Sequence, residues 1–183
     1  MIIGLTGSFG AGKGAVVDYL VKEKGFKHFS ARTFITEEIS KQNIPVSRES
    51  LIDFGNRLRL EHGPAYIIET LFSQANKNGG NVVVESLRAT EEAKYIKEQG
   101  SFVIGVDADP EIRYERMTAR GTETDNVTYK EWKKQQAMET NPNEPTKQDI
   151  FGALKESDYI IMNNGTLDDL HKEVDRVLGE INS

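Results

Sequence analysis

The sequence contains no cysteine among its 183 residues. Disulfide bonds and cysteine-ligated zinc sites are therefore excluded, and this composition is typical of a protein of the reducing cytoplasm. No apolar run approaches the roughly 20 residues that span a bilayer. A secretory signal pattern is also missing, because an apolar strand begins at once. We therefore expect a cytoplasmic protein without a membrane partner.

Basic residues are in the minority, with 23 Lys and Arg against 29 Asp and Glu and a formal net charge of −6. Nucleic acids and anionic membranes are bound by basic surfaces, so we expect no nucleic-acid partner. A local cluster of arginines is still compatible with a small phosphorylated ligand. The length predicts one domain with a real core, as a monomer or a homodimer.

The N-terminal segment carries the most informative motif. The apolar run Ile2–Thr6 leads directly into Gly7-Ser8-Phe9-Gly10-Ala11-Gly12-Lys13-Gly14. Two glycines stand five positions apart and a lysine follows the second, which is the spacing of a phosphate-binding loop. Glycines let the backbone curl so that N–H groups point at phosphate oxygens, and the following helix adds its positive end. The motif predicts that this chain binds a nucleoside triphosphate.

One position of the loop departs from the usual pattern. The residue after the lysine is commonly Ser or Thr, whose hydroxyl helps to hold Mg²⁺, but here Gly14 and Ala15 follow. Either the metal is held without that hydroxyl or the loop is degenerate. A dinucleotide-binding pattern also matches residues 10–15, but that fold needs an acid at the end of the second strand. This chain has Ser30 there, which favours the phosphate-binding loop.

Short apolar segments alternate with helical patterns along the chain. The predicted strands are Ile2–Thr6, Phe26–Ser30, Asn81–Glu85, Phe102–Asp107 and Tyr159–Met162. Two of them are continuously apolar, which is typical of strands buried on both faces of a parallel sheet. We expect an α/β fold, a three-layer sandwich around a five-stranded parallel sheet. Ligands of such folds bind at the carboxyl ends of the strands.

Two segments interrupt this alternation. Residues 31–80 are helical throughout, with Leu51, Phe54 and Leu58 on one helical face. Residues 121–147 are polar and offer little potential core. We expect a single domain with 31–80 as a helical, acceptor-binding insert and 121–147 as a lid. The core of that domain would comprise residues 1–30, 81–120 and 148–183.

The third predicted strand ends in an acidic residue. Glu85 closes the apolar run Val82–Val84, and Arg88 follows three positions later. A carboxylate at this place, beside a phosphate-binding loop, is suited to hold Mg²⁺ or its water ligands. Glu85 is therefore the candidate metal residue and Arg88 a candidate phosphate ligand. The alternative is that Glu85 only ends the strand and that Arg88 is solvated.

Arginines supply the other candidate cations. Arg113, Arg116 and Arg120 recur at steps of three and four after the fourth strand, so they share roughly one helical face. Phosphoryl transfer needs positive charge over the equatorial oxygens, which arginines beside a closing lid would provide. The alternative is a solvated face that pairs with Glu111 and Glu115.

The predicted insert contributes three further arginines, Arg32, Arg57 and Arg59. They are candidates to hold the phosphate of a second substrate. Arg57 and Arg59 are two positions apart and cannot share a helical face, so at most one of them points at that substrate. Each arginine by itself is more simply explained as a solvated surface residue.

With these motifs the chain resembles the nucleoside monophosphate kinase group, in particular adenylate kinases and dephospho-CoA kinases. A loop ending in Gly-Lys-Gly is similar to the adenylate kinase form, which also lacks Ser or Thr there. Glu85-Ser86-Leu87-Arg88 is similar to the family's Asp-Gly-x-Pro-Arg and keeps its acid and its arginine. Residues 29–33, with Ser30, occupy the place of the family's entry to the acceptor insert.

Two C-terminal features extend the resemblance. Arg116 and Arg120 resemble the family's pair of arginines at the lid edge, one of which stacks on the adenine. Residues 157–166 resemble the ending of dephospho-CoA kinases, Ala-Asp-x-x-Ile-x-Asn-x-Gly, in which the loop carrying Asn163 passes near the ATP base. The resemblance implies the P-loop NTPase fold and kinase chemistry.

The sequence thus predicts an ATP- and Mg²⁺-dependent kinase that phosphorylates a nucleoside or deoxynucleoside monophosphate. Dephospho-CoA kinase is the alternative, and a non-catalytic ATP-binding switch or adaptor is the second. The predicted catalytic residues are Lys13, Arg88, Arg116 and Arg120. The predicted ATP-binding residues are Gly7, Phe9, Gly10, Ala11, Gly12, Lys13, Gly14, Ala15, Arg116 and Asn163. The predicted acceptor-binding residues are Ser30, Arg32, Arg57, Arg59 and Arg88.

Overall fold

The computed structural model describes residues 1–121 and 127–183, and its centre is a five-stranded sheet. The strands are β1 (Ile2–Gly7), β2 (Lys27–Ser30), β3 (Val82–Leu87), β4 (Phe102–Asp107) and β5 (Tyr159–Met162). All pairings between them are parallel, and their order is β2-β3-β1-β4-β5. The predicted five-stranded parallel sheet is confirmed, and β4 and β5 have the predicted bounds.

Helices connect the strands and cover both faces of the sheet. In the described residues they are α1 (Lys13–Lys22), α2 (Ala31–Lys41), α3 (Arg48–His62), α4 (Tyr66–Asn78), α5 (Thr90–Glu98), α6 (Pro110–Arg120), α7 (Tyr129–Met138), α8 (Ile150–Lys155) and α9 (Leu167–Ile181). None of these helices is both long and apolar enough to be a membrane span. Since all strands are parallel, their carboxyl ends meet at one edge of the sheet.

Two apolar cores lie on opposite faces of the sheet. Val83 packs with side chains of α1 and α9, whereas Val82 and Val84 pack with side chains of α2, α3, α4 and α5. The continuously apolar run of β3 therefore has a direct cause, because consecutive residues of a strand point to opposite faces and both faces are covered. This arrangement is the predicted three-layer sandwich.

The predicted insert, residues 31–80, contains α2, α3 and α4. Phe54 of α3 is buried, with Leu51 and Leu58 packed beside it, as the helical spacing predicts. Helix α4 packs against β3, and its buried residues join the same core. The insert begins at the carboxyl edge of the sheet, because α2 directly follows Ser30, the last residue of β2.

The predicted lid, residues 121–147, is described from residue 127 onward, and residues 122–126 lie outside the described residues. Helix α7 occupies much of the described part. Its Trp132 is fully buried, with ring centroids 5.7 Å from Tyr114 and 5.4 Å from Tyr129. Trp132 anchors α7 on α6 and is the one buried apolar side chain of residues 127–147, so the described part of the segment has little core, as predicted.

Candidate active site

The loop between β1 and α1 has the curled backbone of a phosphate-binding loop. Gly10 and Gly12 adopt φ angles of +85° and +99°, a region that residues with a side chain rarely occupy. A Cβ on Gly10 would overlap the backbone carbonyl oxygen of Arg113, and a Cβ on Gly12 would overlap the side-chain amide of Asn163. Glycine is therefore required at both positions by conformation and by packing.

Other residues of the predicted ATP site lie around this loop. Gly7 ends β1 with a φ of +152°. Ala11 is fully buried, and Ala15 packs beside the core that α1 covers. Phe9 lines a cavity beside the loop, and Gly14 lies exposed in the first turn of α1.

Lys13 lies at the start of α1 and folds back over the loop. Its ammonium group donates hydrogen bonds to the carbonyl oxygens of Gly7 and Ser8 at 2.8 and 2.9 Å. Burial, and then the positive charge of Arg88, lower the pKa of Lys13 to about 7, although nearby carboxylates including Glu85 oppose this shift. An anion bound at the loop would favour the protonated form of Lys13, because the positive ammonium group attracts the anion.

The loop between β5 and α9 contacts the phosphate-binding loop. The side-chain amide of Asn163 donates to the carbonyl oxygen of Ala11 at 2.9 Å. Arg116 donates to the carbonyl oxygens of Asn163 at 2.7 Å and of Gly165 at 3.4 Å. Asn163 therefore joins the two loops, and Arg116 of α6 holds the loop that carries Asn163. The contacts of Arg116 and Asn163 with the donor remain predictions.

Glu85 lies where β3 is interrupted by a bulge. Glu85 pairs with Leu5 and Leu87 pairs with Thr6, so Ser86 is left out of the register with a φ of 73°. Bulges re-aim side chains, and positive φ values at residues other than glycine concentrate at functional sites. The sequence gives no signal for this bulge, since serine is not a residue that favours such a conformation.

The Glu85 carboxylate lies beside two hydroxyl groups and an imidazole. It accepts hydrogen bonds from the hydroxyls of Ser86 at 2.6 Å and Ser30 at 3.2 Å, and the His28 imidazole lies 3.6 Å away. Burial raises its pKa, but the contacts with His28 and Ser86 and the charges of Lys13 and Arg88 outweigh it and lower the pKa to about 2. Glu85 is therefore an anion at physiological pH and is unsuited to act as a general base.

These residues fit Mg²⁺ bound chiefly through phosphate oxygens and water. Glu85 offers an ionised carboxylate beside two hydroxyls, and its oxygens contact neither Lys13 nor Arg88 directly. Within residues 1–121 and 127–183, no cluster of three or more His, Cys, Asp or Glu side chains could hold a metal by itself. Mg²⁺ commonly binds with one or two carboxylates plus substrate phosphates, which matches this arrangement.

A cavity of about 290 Å³ opens beside the phosphate-binding loop. Its apolar wall comes from the loop and from α2 and α3, and its polar wall carries four arginines and one acid. The lining residues are Phe9, Ala31, Arg32, Ile35, Arg48, Leu51, Ile52, Ser86, Arg88, Arg120, Glu139 and Gln148. A cavity with an apolar wall and convergent polar groups is the usual form of a small-ligand site.

Three arginines predicted from the sequence line this cavity, namely Arg32, Arg88 and Arg120. The other two arginines predicted to bind the acceptor do not. Arg57 is exposed, donates to the side chain of Gln42 at 3.0 Å and stacks on Phe54. The Ser30 hydroxyl caps α2 and donates to Glu85, and Ser30 is not among the residues that line the cavity.

The prediction that Arg59 binds the acceptor is wrong. Its side chain is fully buried and donates to the Glu92 carboxylate at 2.8 Å, at the interface of α3 and α5. Burial in this ion pair makes Arg59 inaccessible to an acceptor. Arg113 of α6 is likewise structural, because it is buried and donates to the carbonyl oxygen of Ala108.

Sequence reasoning missed two charged residues of the cavity, Arg48 and Glu139. Arg48 begins α3, and its guanidinium lies 4.4 Å from the centre of the Phe9 ring. Glu139 follows α7 and contacts the guanidinium groups of both Arg48 and Arg88. Neither residue belongs to a recognisable motif, so only the fold brings them together.

Comparison with known proteins identifies the family of this chain. The AAA domain model AAA_18 matches residues 3–140, which include the phosphate-binding loop, the insert and Glu85. A UPF0200 protein of Pyrococcus abyssi is 30% identical, over 99% of this chain and 97% of the relative.

Two solved structures have the same fold. TT1252 from Thermus thermophilus is 19% identical with a TM-score of 0.63, covering 98% of this chain and 97% of that one. Shikimate kinase from Bacteroides thetaiotaomicron is 14% identical with a TM-score of 0.59, covering 100% and 99%. Together with the phosphate-binding loop, these matches show that the chain belongs to the AAA domain and UPF0200 families and has the P-loop kinase fold.

Proposed function

We propose that this protein is an ATP-dependent kinase that transfers the γ-phosphoryl group to a nucleoside monophosphate. The observation that carries the proposal is the arginine-lined cavity directly beside the phosphate-binding loop. Phe9 and Ser86 border both regions, so a donor in the loop and an acceptor in the cavity would meet. The fold itself supports a phosphotransferase but leaves the acceptor open.

The proposal that ATP is the phosphoryl donor is supported by the phosphate-binding loop. Its amides and the Lys13 ammonium would hold the β- and γ-phosphates of ATP, at the N-terminus of α1. Mg²⁺ would neutralise charge on those phosphates, and Glu85 would hold it through water. Arg120 lines the cavity next to the loop and would add positive charge on the side of the transferring group.

The proposal that the acceptor is a nucleoside monophosphate is supported by the charge and volume of the cavity. Four arginines and a single acid line the cavity among the described residues, so it favours an acceptor with several negative charges. The apolar wall formed by Ile35, Leu51 and Ile52 would pack against a base or sugar. The volume of about 290 Å³ lies near the lower end of the range for small-ligand sites, which suits a mononucleotide.

The chemistry needs no general base with such an acceptor. A phosphate oxygen of the monophosphate, already anionic at neutral pH, attacks the γ-phosphorus while the bond to the β-γ bridging oxygen breaks and ADP leaves. Positioning and electrostatic stabilisation then account for the catalysis. Glu85 stays ionised throughout, as its lowered pKa requires.

The two alternatives differ from this proposal in testable ways. Dephospho-CoA kinase is favoured by the C-terminal resemblance, which implies that the loop carrying Asn163 passes near the ATP base. In this structure Asn163 donates to the carbonyl oxygen of Ala11, which places its loop beside the phosphate-binding loop. The hydroxyl acceptor of a dephospho-CoA kinase needs a base, however, and Glu139, the acid that lines the cavity, is already bound by Arg48 and Arg88. A non-catalytic switch would bind ATP without acceptor-dependent turnover.

A coupled assay of ADP release with Mg²⁺ and ATP tests the proposal. Acceptors would be the nucleoside and deoxynucleoside monophosphates, dephospho-CoA, and shikimate as the substrate of a structural neighbour. We expect stimulation by one or a few monophosphates and its loss in Lys13→Ala. ADP release only with dephospho-CoA or shikimate would reject the monophosphate acceptor. ATP binding without stimulation by any acceptor would favour the switch.

A further inference from the structure

Glu139 is a carboxylate placed in the middle of the arginine-lined cavity wall. The Glu139 carboxylate forms an ion pair with the Arg48 guanidinium and lies 3.6 Å from the Arg88 guanidinium. Only 7% of its side chain is exposed. One carboxylate therefore occupies the position between two guanidinium groups that would suit a phosphate group.

The arginines do not need Glu139 to hold their places. Arg48 also donates to the side chain of Gln135 at 3.1 Å and stacks on Phe9. The backbone of Arg88 is fixed on both sides, because its N–H donates to Glu92 at 2.6 Å and its carbonyl accepts from Asp149 at 2.7 Å. If the carboxylate moved away, Arg48 would keep two side-chain contacts and Arg88 would keep its backbone position beside the cavity.

The Glu139 carboxylate, in contrast, has a poor position without the arginines. The residue follows the last turn of α7, at the negative end of the helix dipole, where a negative charge is disfavoured. Burial adds a cost for an unpaired charge. Its backbone is anchored separately, since its carbonyl accepts from the Ile150 N–H at 3.1 Å. The side chain can therefore swing away while the segment stays in place.

We propose that Glu139 is an internal anion that occupies the acceptor-phosphate subsite formed by Arg48 and Arg88. An acceptor must displace the carboxylate, which selects ligands with a dianionic phosphate over singly charged carboxylates. This inference deepens the proposed function, on which its reference to an acceptor rests. The subsite itself is defined by the three side chains and can be tested by anion binding without turnover.

The test is calorimetric titration of inorganic phosphate, with the phosphate-binding loop filled by saturating Mg²⁺ and a non-hydrolysable ATP analogue. We expect Glu139→Gln to bind phosphate about tenfold more tightly than the unmodified protein, because the charged contacts of Glu139 with Arg48 and Arg88 no longer have to be broken. Arg48→Ala should weaken phosphate binding in either background. Acetate should bind weakly to the unmodified protein and gain in the variant.

Two controls keep this test decisive. Glu144→Gln removes an exposed lid carboxylate that pairs with Lys147, and it should leave phosphate binding unchanged. If Glu139→Gln does not fold, Glu139→Asp shortens the side chain and should also tighten phosphate binding, although less. The inference is overturned if either folded variant binds phosphate as weakly as the unmodified protein or more weakly, because Glu139 would then position the arginines.

The outcome is separable from that of the proposed function. Tighter phosphate binding in Glu139→Gln, combined with no acceptor-dependent ADP release, would support the subsite and reject the kinase. Unchanged phosphate binding together with monophosphate-dependent ADP release would reject this inference and leave the kinase supported.

Discussion

The Glu92 carboxylate joins the insert to the strand end that carries Arg88. One of its oxygens accepts from the Arg59 guanidinium at 2.8 Å, and the other accepts from the backbone N–H groups of Arg88 at 2.6 Å and Ala89 at 3.1 Å. Both charged side chains are fully buried. A single buried ion pair thus fixes α3 relative to the turn after β3, and so sets the wall of the cavity.

Glu92→Ala should lower the free energy of unfolding by about 3–5 kcal/mol, because it leaves the Arg59 charge buried and unpaired. The adjacent Glu91→Ala removes an exposed partner of Lys94 and should change stability by less than about 0.5 kcal/mol. Urea unfolding of the two variants measures the difference. Equal midpoints would show that the buried pair is not needed for stability.

Adding a side chain should leave stability unchanged at Gly14 and lower it at Gly10. A Cβ on Gly14 would meet nothing within 4 Å, so Gly14→Ser should fold normally. Its hydroxyl restores the usual metal-binding position and should lower the half-saturating Mg²⁺ concentration for turnover. Gly10→Ala should cost about 1–3 kcal/mol of stability, because it forces a residue with a side chain into a left-handed conformation.

Thermal melting and a Mg²⁺ titration at fixed ATP compare these two variants. A destabilised Gly14→Ser would contradict the open space around that residue. Equal stability of Gly10→Ala and the unmodified protein would contradict the close approach of the loop to Arg113.

Lys13→Ala should reduce turnover by roughly two to three orders of magnitude while the fold persists, since it removes one preorganised electrostatic contact. Its lowered pKa of about 7 gives a second readout. Above pH 7 the free protein holds much of this lysine uncharged, and bound phosphates favour the charged form. ATP binding at pH 8 should therefore take up protons, whereas binding at pH 6 should take up few.

Calorimetry of preformed Mg²⁺–ATP in buffers of different ionisation enthalpy measures that proton uptake. Lys13→Met serves as the control, because it cannot titrate and should show no uptake at pH 8 beyond that at pH 6. Identical proton uptake in the unmodified protein and in Lys13→Met would assign the protons to other groups.

Glu85→Gln should raise the half-saturating Mg²⁺ concentration by roughly 10–100-fold, the usual effect of losing a partner of a metal site. ATP affinity should change much less, because the loop and Lys13 remain. Glu180→Gln, an exposed carboxylate of α9, is the matched control. If the Mg²⁺ dependence and the rate of Glu85→Gln both equal those of the control, Glu85 is structural.

Arg32 and Arg57 test which arginines of the insert meet the acceptor. Arg32 lines the cavity, so Arg32→Ala should raise the KM for the acceptor about tenfold without altering the KM for ATP. Arg57 lies outside the cavity with Gln42 and Phe54, so Arg57→Ala should leave both values unchanged. Steady-state kinetics with each substrate varied decides between them, and the reverse pattern would place the acceptor elsewhere.

The sequence by itself determined the fold class, the strands and the phosphate-binding loop. These follow from local rules, because apolar runs form buried strands and the spacing of Gly7, Gly12 and Lys13 defines the loop within eight residues. Glu85 was predictable for the same reason, since it directly follows the apolar residues Val82–Val84. The bounds of β1, β2 and β3 differ from the prediction by one or two residues, and β3 continues past Glu85 through the bulge at Ser86.

The tertiary structure decided which arginines face the cavity. Arg57 and Arg59 are two positions apart and look alike in sequence, yet one is exposed and the other is buried against Glu92. Arg48 and Glu139 are 91 residues apart, and nothing local marks either of them. Long-range pairing depends on how α3 and α7 pack over the sheet edge, and helical periodicity along one segment carries no information about that packing.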